Sequence, residues 1–197
     1  MTTPGEAALS STSIQTIAII GAGAAGRGFA AGCLRSGLHV VLEDVMPANL
    51  RRAQADLPAG PGQLDLASTV EDAVRSADLA IDFVPDELES KLEIFSMIDR
   101  MAPPRTIICS PSESLSITDL ASCVYRPDRC IFVSGLTSAG LSAGAAAIRL
   151  VYPPAASAPT LTAVQQLFLR LGLAAQLVAD SVAPMLTATG SRLSNNT

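Results

Sequence analysis

Three glycines spaced as Gly-x-Gly-x-x-Gly are the residues whose types and spacing indicate chemistry most directly. Gly21, Gly23 and Gly26 lie between an apolar, β-branched run and an Ala-rich segment, which predicts a strand, a turn and a helix. Gly21 permits a tight turn, Gly23 lets the backbone approach a pyrophosphate, and Gly26 lets helix and strand pack closely. Ala24 and Ala25 open the helix, whose free N–H groups and positive dipole end would face phosphates.

An acid at the end of the second predicted strand completes a dinucleotide-binding pattern. Asp44 follows the strand 38–42, about 20 residues past the glycines, where it can accept a hydrogen bond from a ribose 2′-hydroxyl. A carboxylate there would repel a 2′-phosphate, so we expect NAD(H) rather than NADP(H). The counter-argument is a set of three arginines that could accommodate that phosphate: Arg27, Arg51 and Arg52.

Length and composition exclude several classes of protein. The 197 residues suffice for one domain, and a hydrophobic share of 49% is typical of a buried, mostly parallel sheet. We expect no membrane span, because no apolar run reaches about 18 residues. A net charge of −5 and the absence of Trp argue against a nucleic-acid surface.

Histidine and cysteine usage argues against a metal centre. His39 is the only histidine, so we expect no metal site. Four cysteines without C-x-x-C spacing have apolar neighbours, which predicts buried thiols in a reducing, cytoplasmic location: Cys33, Cys109, Cys123 and Cys130. Residues 1–13 lack both the basic start and the apolar core of a secretory signal, and we interpret them as a disordered leader.

The alternation of strand and helix patterns predicts one α/β domain. We expect a doubly wound, mostly parallel, Rossmann-like sheet over residues 14–180 and a tail over 181–197. The Gly/Ser/Ala-rich stretch 134–146 is predicted to be a long loop. The later predicted strands are 63–67, 78–84, 105–109, 130–133, 147–152 and 174–179, and the later predicted helices are 48–56, 69–76, 86–101, 117–122 and 160–171.

Several motifs occur in the order found in one family. They are the segments 19–30, 40–44, 77–91, 93–95, 110–117 and 126–129, the last being Arg-Pro-x-Arg. On these motifs the chain resembles the NAD-binding domain of the 3-hydroxyacyl-CoA dehydrogenases over about residues 14–180. The segment 84–91, with the Ser-rich loop behind it, separates this family from other nucleotide-binding α/β proteins.

The resemblance implies roles for residues after two central strands. It puts Asp86 and Lys91, beside Val84 and Pro85, near the nicotinamide end of NAD, at the edge where α/β sheets bind ligands. The alternative for Lys91 is a solvated helix lysine paired with Glu87.

The Ser-rich loop 110–114 is the second such region. By resemblance it holds the substrate's β-oxygen and the nicotinamide amide, with Ser110 on the cofactor and Ser112 on the substrate. Serine hydroxyls supply donors and acceptors for both tasks. The alternative is a simple helix-capping loop.

The family's catalytic pair is missing from the sequence. Its general base is a His whose position here is Ser134, and an unassisted serine does not accept a proton near neutral pH. The acid that orients that His falls on Ala146, or on Arg149 if the gap is drawn differently. His39 starts the second strand, at the edge opposite the carboxyl ends, and cannot substitute.

Two further regions of the family have no counterpart. The segment 47–62 is too short for the helical hairpin that helps to hold CoA. The all-helical domain that completes the substrate cleft and makes the dimer should begin after Asp180, and residues 181–197 are too few for it. A separate helical subunit or a homodimer is therefore an open expectation.

These observations leave three hypotheses for function. The first is an NAD-dependent oxidoreductase with altered chemistry on a small-molecule or thioester-linked β-hydroxy or β-keto acyl substrate, using Ser112, Ser134 and Lys91. The second is a partner protein that binds NAD(H) without turnover. The third is a nonredox dehydratase or cyclase acting on a carrier-bound acyl group.

Overall fold

The chain forms one α/β sheet structure in a computed structural model that describes residues 13–136 and 148–182. Its strands are β1 Thr16–Ile20, β2 His39–Glu43, β3 Gln63–Ala67, β4 Leu79–Asp82, β5 Ile107–Pro111, β6 Cys130–Ser134, β7 Ile148–Tyr152 and β8 Ala175–Ala179. Its helices are α1 Ala24–Arg35, α2 Pro47–Asp56, α3 Val70–Val74, α4 Leu88–Met101, α5 Ile117–Ala121 and α6 Ala158–Arg170, and Pro127–Arg129 is a 3₁₀ turn.

The strand order confirms a doubly wound, mostly parallel sheet. The eight strands run β3-β2-β1-β4-β5-β6-β7-β8, so the chain winds outward from β1 to β3 and then returns to β4. Neighbouring strands are parallel except for β6 and β7. The reversal between β1 and β4 is the switch point beside which open α/β sheets bind ligands, outside the carboxyl ends of the strands.

Helices cover both faces of the sheet. On one face α1, α2 and α6 contribute residues such as Phe29, Ala53 and Phe168 to an apolar core. On the other face α3, α4 and α5 pack through residues such as Val74 and Phe95. Because both faces are buried, the central strands are almost continuously apolar, as the sequence indicated.

The Arg-Pro-x-Arg motif has a structural role in this fold. Arg126 donates to Asp99 Oδ1 at 2.6 Å, and it also contacts the carbonyl oxygens of Pro103 and Asp99. These bonds satisfy carbonyl oxygens at the end of α4. That end lies at the amino edge of the sheet, opposite the edge that carries the glycine turn.

Several sequence predictions need correction. The strand predicted to begin at 105 begins at Ile107 and continues to Pro111, because Ser110 and Pro111 pair with β6, so Ser110 lies in a strand and not in a loop. Ser134 likewise closes β6 instead of opening the loop, since it pairs with Arg149 of β7. Cys123 is exposed, because it follows the last buried turn of α5.

Parts of three predictions concern residues that the structure does not describe. The leader up to residue 12, the part of the predicted loop at 137–146, which includes Ala146, and the tail from 183 onward lie outside the described residues. Among the helices that the structure describes, none combines the length and apolar character needed to span a bilayer.

Candidate functional site

The glycine turn between β1 and α1 forms the first part of the site. Gly21 has φ +103°, a conformation that favours glycine, and its N–H donates to the carbonyl of Glu43 at 2.9 Å. A Cβ at position 26 would lie 1.9 Å from the Gly21 carbonyl oxygen, so α1 packs against the turn only because Gly26 has no side chain. A Cβ at Gly23 would meet no described atom within 4 Å, which leaves that stretch of backbone facing open space.

The start of α1 fits an anionic group. Ala24 begins the helix directly after Gly23, and no side chain of the described residues caps its first N–H groups. The first turn also carries no acid. Free N–H groups and a positive dipole end therefore meet the open backbone at Gly23, which is the environment a pyrophosphate requires.

Asp44 links the glycine turn to the end of β2. Its Oδ2 accepts from Ala22 N at 2.9 Å and from Asn49 Nδ2 at 3.0 Å, and its Oδ1 accepts from Met46 N at 2.8 Å. A carboxylate oxygen has two lone pairs, so these bonds leave Oδ1 one further acceptor position. Asp44 is half-buried and therefore accessible to a ribose hydroxyl.

The three arginines that could accommodate a 2′-phosphate differ in position. Arg27 donates to the carbonyl of Ala22 at 2.7 Å and lies 3.7 Å from Asp56, so its guanidinium already has acceptors beside the turn. Arg51 and Arg52 lie exposed on α2.

Glu43, which the sequence analysis passed over, is a buried acid beside Asp44. Its Oε1 has no hydrogen-bond partner among the described residues. Burial, with a smaller contribution from the charge of Asp44, raises the pKa of Glu43 from 4.5 to about 7. Its position, between the apolar residues of β2 and Asp44, was the available signal.

The end of β4 holds a buried ion pair. Lys91 Nζ donates to Asp82 Oδ1 at 2.7 Å, and the two side chains are 1% and 0% exposed. Lys91 is therefore not a solvated partner of Glu87, and that alternative is wrong. Burial raises the pKa of Asp82, and the ammonium of Lys91 opposes this shift.

Two buried polar atoms next to this pair lack hydrogen bonds. They are Asp82 Oδ2 and Ser110 Oγ, which make no hydrogen bond of ordinary geometry with a described residue, although the Ser110 hydroxyl is near enough to Asp82 to oppose the rise of its pKa. β4 and β5 are neighbours in register, with Ile81 opposite Cys109, so Asp82 and Ser110 lie side by side near the ends of adjacent strands. Asp82 was missed because an acid that ends an apolar strand resembles any strand terminus.

The loop after β5 is tied to the loop after β4 through Asp86. Asp86 Oδ2 accepts from Glu113 N at 3.2 Å and from Ser114 Oγ at 3.4 Å. Ser112 Oγ accepts from Leu115 N at 3.1 Å, so its hydroxyl shapes the turn. The cap of α5 is instead Ser116, which accepts from Asp119 N. The loop is therefore more than a helix cap.

A polar cluster lies at the end of β6, where the resemblance puts a catalytic histidine. Ser134 Oγ donates to Glu113 Oε2 at 2.6 Å and accepts from Arg149 Nη2 at 2.6 Å. Arg149 Nη2 also donates to Glu113 Oε2 at 3.3 Å. Arg149, one of the two positions considered for the orienting acid, is in register with Ser134, and the other, Ala146, lies outside the described residues. Glu113, from the loop after β5, was not singled out by the sequence.

The remaining titratable candidates lie elsewhere. His39 begins β2 at the amino edge of the sheet, as its sequence position predicted, and its Nε2 lies 2.7 Å from Asp65 Oδ2. The described residues contain no cluster of His, Cys, Asp or Glu able to hold a metal ion.

Known proteins are similar to this chain in sequence and in fold. The sequence model described as "3-hydroxyacyl-CoA dehydrogenase, NAD binding domain" matches residues 16–135. The chain is 35% identical over 133 residues to 5-formyl-3-hydroxy-2-methylpyridine 4-carboxylate 5-dehydrogenase of Mesorhizobium japonicum, covering 60% of this chain and 43% of that protein. It is 36% identical over 135 residues to L-carnitine dehydrogenase of Burkholderia mallei, covering 61% and 42%.

A solved structure agrees with these relatives. (S)-3-hydroxybutyryl-CoA dehydrogenase from Ralstonia eutropha superposes with a TM-score of 0.77 at 27% identity, over 86% of this chain and 65% of that one. The chain spans less than half the length of the two curated relatives named above. Fold, glycine turn and matched residues together show that the chain belongs to the 3-hydroxyacyl-CoA dehydrogenase family, through an NAD-binding domain at residues 16–135.

Proposed function

We propose that this protein is an NAD-dependent oxidoreductase for a β-hydroxy or β-keto acyl substrate, with chemistry altered at the position of the family's general base. The observation that carries the proposal is that an open glycine turn with its ribose-binding acid accompanies a polar cluster of Ser134, Glu113 and Arg149 at the carboxyl edge of the sheet. A substrate there would meet hydroxyl, carboxylate and guanidinium groups where an imidazole is expected.

The cofactor would be held by three groups of residues. The glycine turn would bind the pyrophosphate, Asp44 the ribose, and the ends of β4 and β5 the nicotinamide. These residues are Gly21, Gly23, Ala24, Ala25, Gly26, Asp44, Val84, Pro85, Asp86, Lys91 and Ser110. When bound, NAD supplies the two-electron redox chemistry.

The substrate would be positioned by side chains of the adjacent loops. Ser112 and Ser134 offer hydroxyls to the substrate's oxygen atoms. Lys91 enters the proposal as a positioning residue, because its ammonium is enclosed and acts through Asp82. A missing general base costs on the order of 10²–10⁴ in rate, so we expect slow turnover of ordinary 3-hydroxyacyl-CoA.

The named relatives act on more than one kind of substrate. Their descriptions include a pyridine 4-carboxylate and L-carnitine as well as an acyl-CoA. This range supports a β-hydroxy or β-keto acid as substrate without requiring a CoA ester. A separate helical subunit or a second copy of the chain that completes the cleft is part of the proposal.

A binding protein without turnover is the second candidate. The observation that favours it is Arg149 opposite Ser134, because a guanidinium does not accept a proton at neutral pH. Under this alternative NAD(H) would bind at the same turn with the same affinity.

Titration of NADH into the full chain and into Gly23→Ala tests the cofactor site. The alanine Cβ would enter open space without touching the described protein, so folding should be unchanged. It would occupy the approach of the pyrophosphate, so we expect at least tenfold weaker NADH binding with a loss below about 1 kcal/mol in the free energy of unfolding. Equal binding by both proteins would contradict this site.

A further inference from the structure

Three hydrogen-bond donors converge on one carboxylate at the end of β6. Glu113 Oε2 accepts from Ser134 Oγ at 2.6 Å and from Arg149 Nη2 at 3.3 Å, and Glu113 Oε1 accepts from Gly135 N at 2.5 Å. A hydroxyl, a backbone N–H and a guanidinium therefore form a carboxylate-binding group, with the protein's own Glu113 as its occupant. Charge-assisted bonds of this kind are the stronger ones in proteins.

The donors are held in place independently of their occupant. Ser134 and Arg149 are registered partners on β6 and β7, and Arg149 Nη2 donates to Ser134 Oγ at 2.6 Å. Gly135 has φ +90°, which favours glycine at that position. Without the carboxylate, the strand pairing would still hold Ser134 and the backbone of Arg149, and the guanidinium would keep its bond to Ser134 Oγ.

The occupant, in contrast, is free to leave. The Glu113 side chain is 59% exposed and that of Arg149 is 54% exposed, so water and solutes reach both. The loop that carries Glu113 is fixed by other bonds, from Glu113 N to Asp86 and from Leu115 N to Ser112. Exposed ion pairs contribute little to stability, so a second carboxylate can compete for the donors.

The location of the group indicates what would displace Glu113. β6 lies beside β5, so the donors adjoin the loop 112–114 at the carboxyl edge. A free acid carries a carboxylate that matches these donors, whereas a thioester carries none. An acid at position 149 would repel such a ligand, and Arg149 attracts it.

We propose that Ser134, Gly135 and Arg149 bind the free carboxylate of a β-hydroxy or β-keto acid, and that Glu113 is a built-in competitor which this ligand displaces. This inference rests on the proposed function for the identity of the site, and it narrows the substrate class from acyl thioesters to free acids. Binding alone tests it, without any turnover.

Calorimetric titration of the full chain with NAD⁺ present compares two ligands. Acetoacetate carries the carboxylate, and methyl acetoacetate has the same β-keto group without the charge. We expect acetoacetate to bind at least tenfold more tightly than the ester. Equal affinity for the two ligands would overturn the inference.

Substitution of the competitor, Glu113, and substitution of the carboxylate-binding residues should change the affinity for acetoacetate in opposite directions. Glu113→Ala removes the occupant, so acetoacetate should bind about threefold to tenfold more tightly, as expected when a competing closed state is removed. Glu89→Ala removes an exposed acid on the first turn of α4 and serves as the charge-matched control, with an expected change below about twofold. Unchanged or weaker binding by Glu113→Ala would overturn the proposal.

Arg149→Ala should weaken acetoacetate binding more than tenfold, and Arg100→Ala, at the far end of α4, should leave it unchanged. If Arg149→Ala does not fold, Ser134→Ala removes another donor of the carboxylate site and tests the same prediction. Absence of acetoacetate binding in every protein, with NAD⁺ still bound, would overturn this inference alone. Absence of NAD⁺ binding with acetoacetate still bound would instead overturn the proposed function.

Discussion

Two ion pairs at the same edge of the sheet differ in almost every physical respect. Asp82 and Lys91 are 0% and 1% exposed and lie at the end of β4. Glu113, in the loop after β5, is 59% exposed, and Arg149, in β7, is 54% exposed. The first pair is enclosed by the core between α4 and the sheet, and the second faces solvent.

This difference in exposure indicates that the first pair is fixed and that the second can exchange its partners. A buried charge cannot lose its partner without a large desolvation cost, so the Asp82–Lys91 pair fixes the end of β4 and the start of α4. The exposed pair can exchange partners at low cost, which suits a surface that must accept and release a ligand. We infer that the end of β4, where the proposal puts the nicotinamide, is preorganised, and that the end of β6 responds to what binds there.

The largest expected effect comes from breaking the buried pair. Lys91→Met leaves Asp82 buried and uncompensated, so we expect a loss of about 3–5 kcal/mol in the free energy of unfolding. Urea denaturation measures it. The double variant Asp82→Asn with Lys91→Met should recover a substantial part of that loss, because no charge then remains unpaired. A loss below about 1 kcal/mol in the single variant would show that the pair is not enclosed.

The glycine turn offers the next largest effect. In Gly26→Ala the new Cβ would lie 1.9 Å from the Gly21 carbonyl oxygen, so α1 must move away from the turn. We expect a loss of about 1–3 kcal/mol in the free energy of unfolding. Gly23→Ala is the matched control, with an expected loss below about 1 kcal/mol, since its Cβ enters open space. Equal losses in the two variants would contradict the different roles of the two glycines.

Glu43 should make stability depend on pH. Its pKa is raised to about 7 from 4.5, so the folded state retains a proton that the unfolded chain has already released. The free energy of unfolding should therefore fall as the pH rises from about 4.5 to 7, by about 1–3 kcal/mol, and then level off. Glu43→Gln should remove this dependence. Denaturation curves at pH 5 and pH 8 for both proteins test it, and identical pH dependence would contradict the assignment.

The smallest expected effect comes from breaking the exposed pair. Arg149→Ala should cost less than about 1 kcal/mol in the free energy of unfolding, because water solvates Glu113 once its partner is removed. The same urea titration used for Lys91→Met gives the value. A loss comparable to that of Lys91→Met would erase the contrast between the two pairs.

Much of the fold was accessible from the sequence. The β-branched run before Gly21, the apolar segment around Ile81 and the acids at the start of α3 are local signals, and each specified its element. The boundaries of β5 and β6 were misplaced because pairing with a neighbouring strand, which no local pattern encodes, extends β5 to Pro111 and β6 to Ser134.

The site was harder to predict from the sequence, because several of its interacting residues are far apart along the chain. Glycine spacing and Asp44 marked the phosphate and ribose end, where the pattern is contiguous. Asp82 and Glu113 were missed because their partners, Lys91 and Ser134, are 9 and 21 residues away and meet them only through tertiary packing. Sequence reasoning assigned Ser134 from an absent histidine, and did not foresee that a carboxylate and a guanidinium accompany it.

The central claim is that an intact cofactor site accompanies a rewritten substrate site. The most direct test measures NADH binding and acetoacetyl-CoA turnover on one preparation of the full chain. We expect saturable NADH binding together with turnover at least about 10²-fold below the usual range of about 1–10³ per second, since no imidazole is available to accept or donate the proton. Turnover within that range, or a failure to bind NADH, would contradict the account.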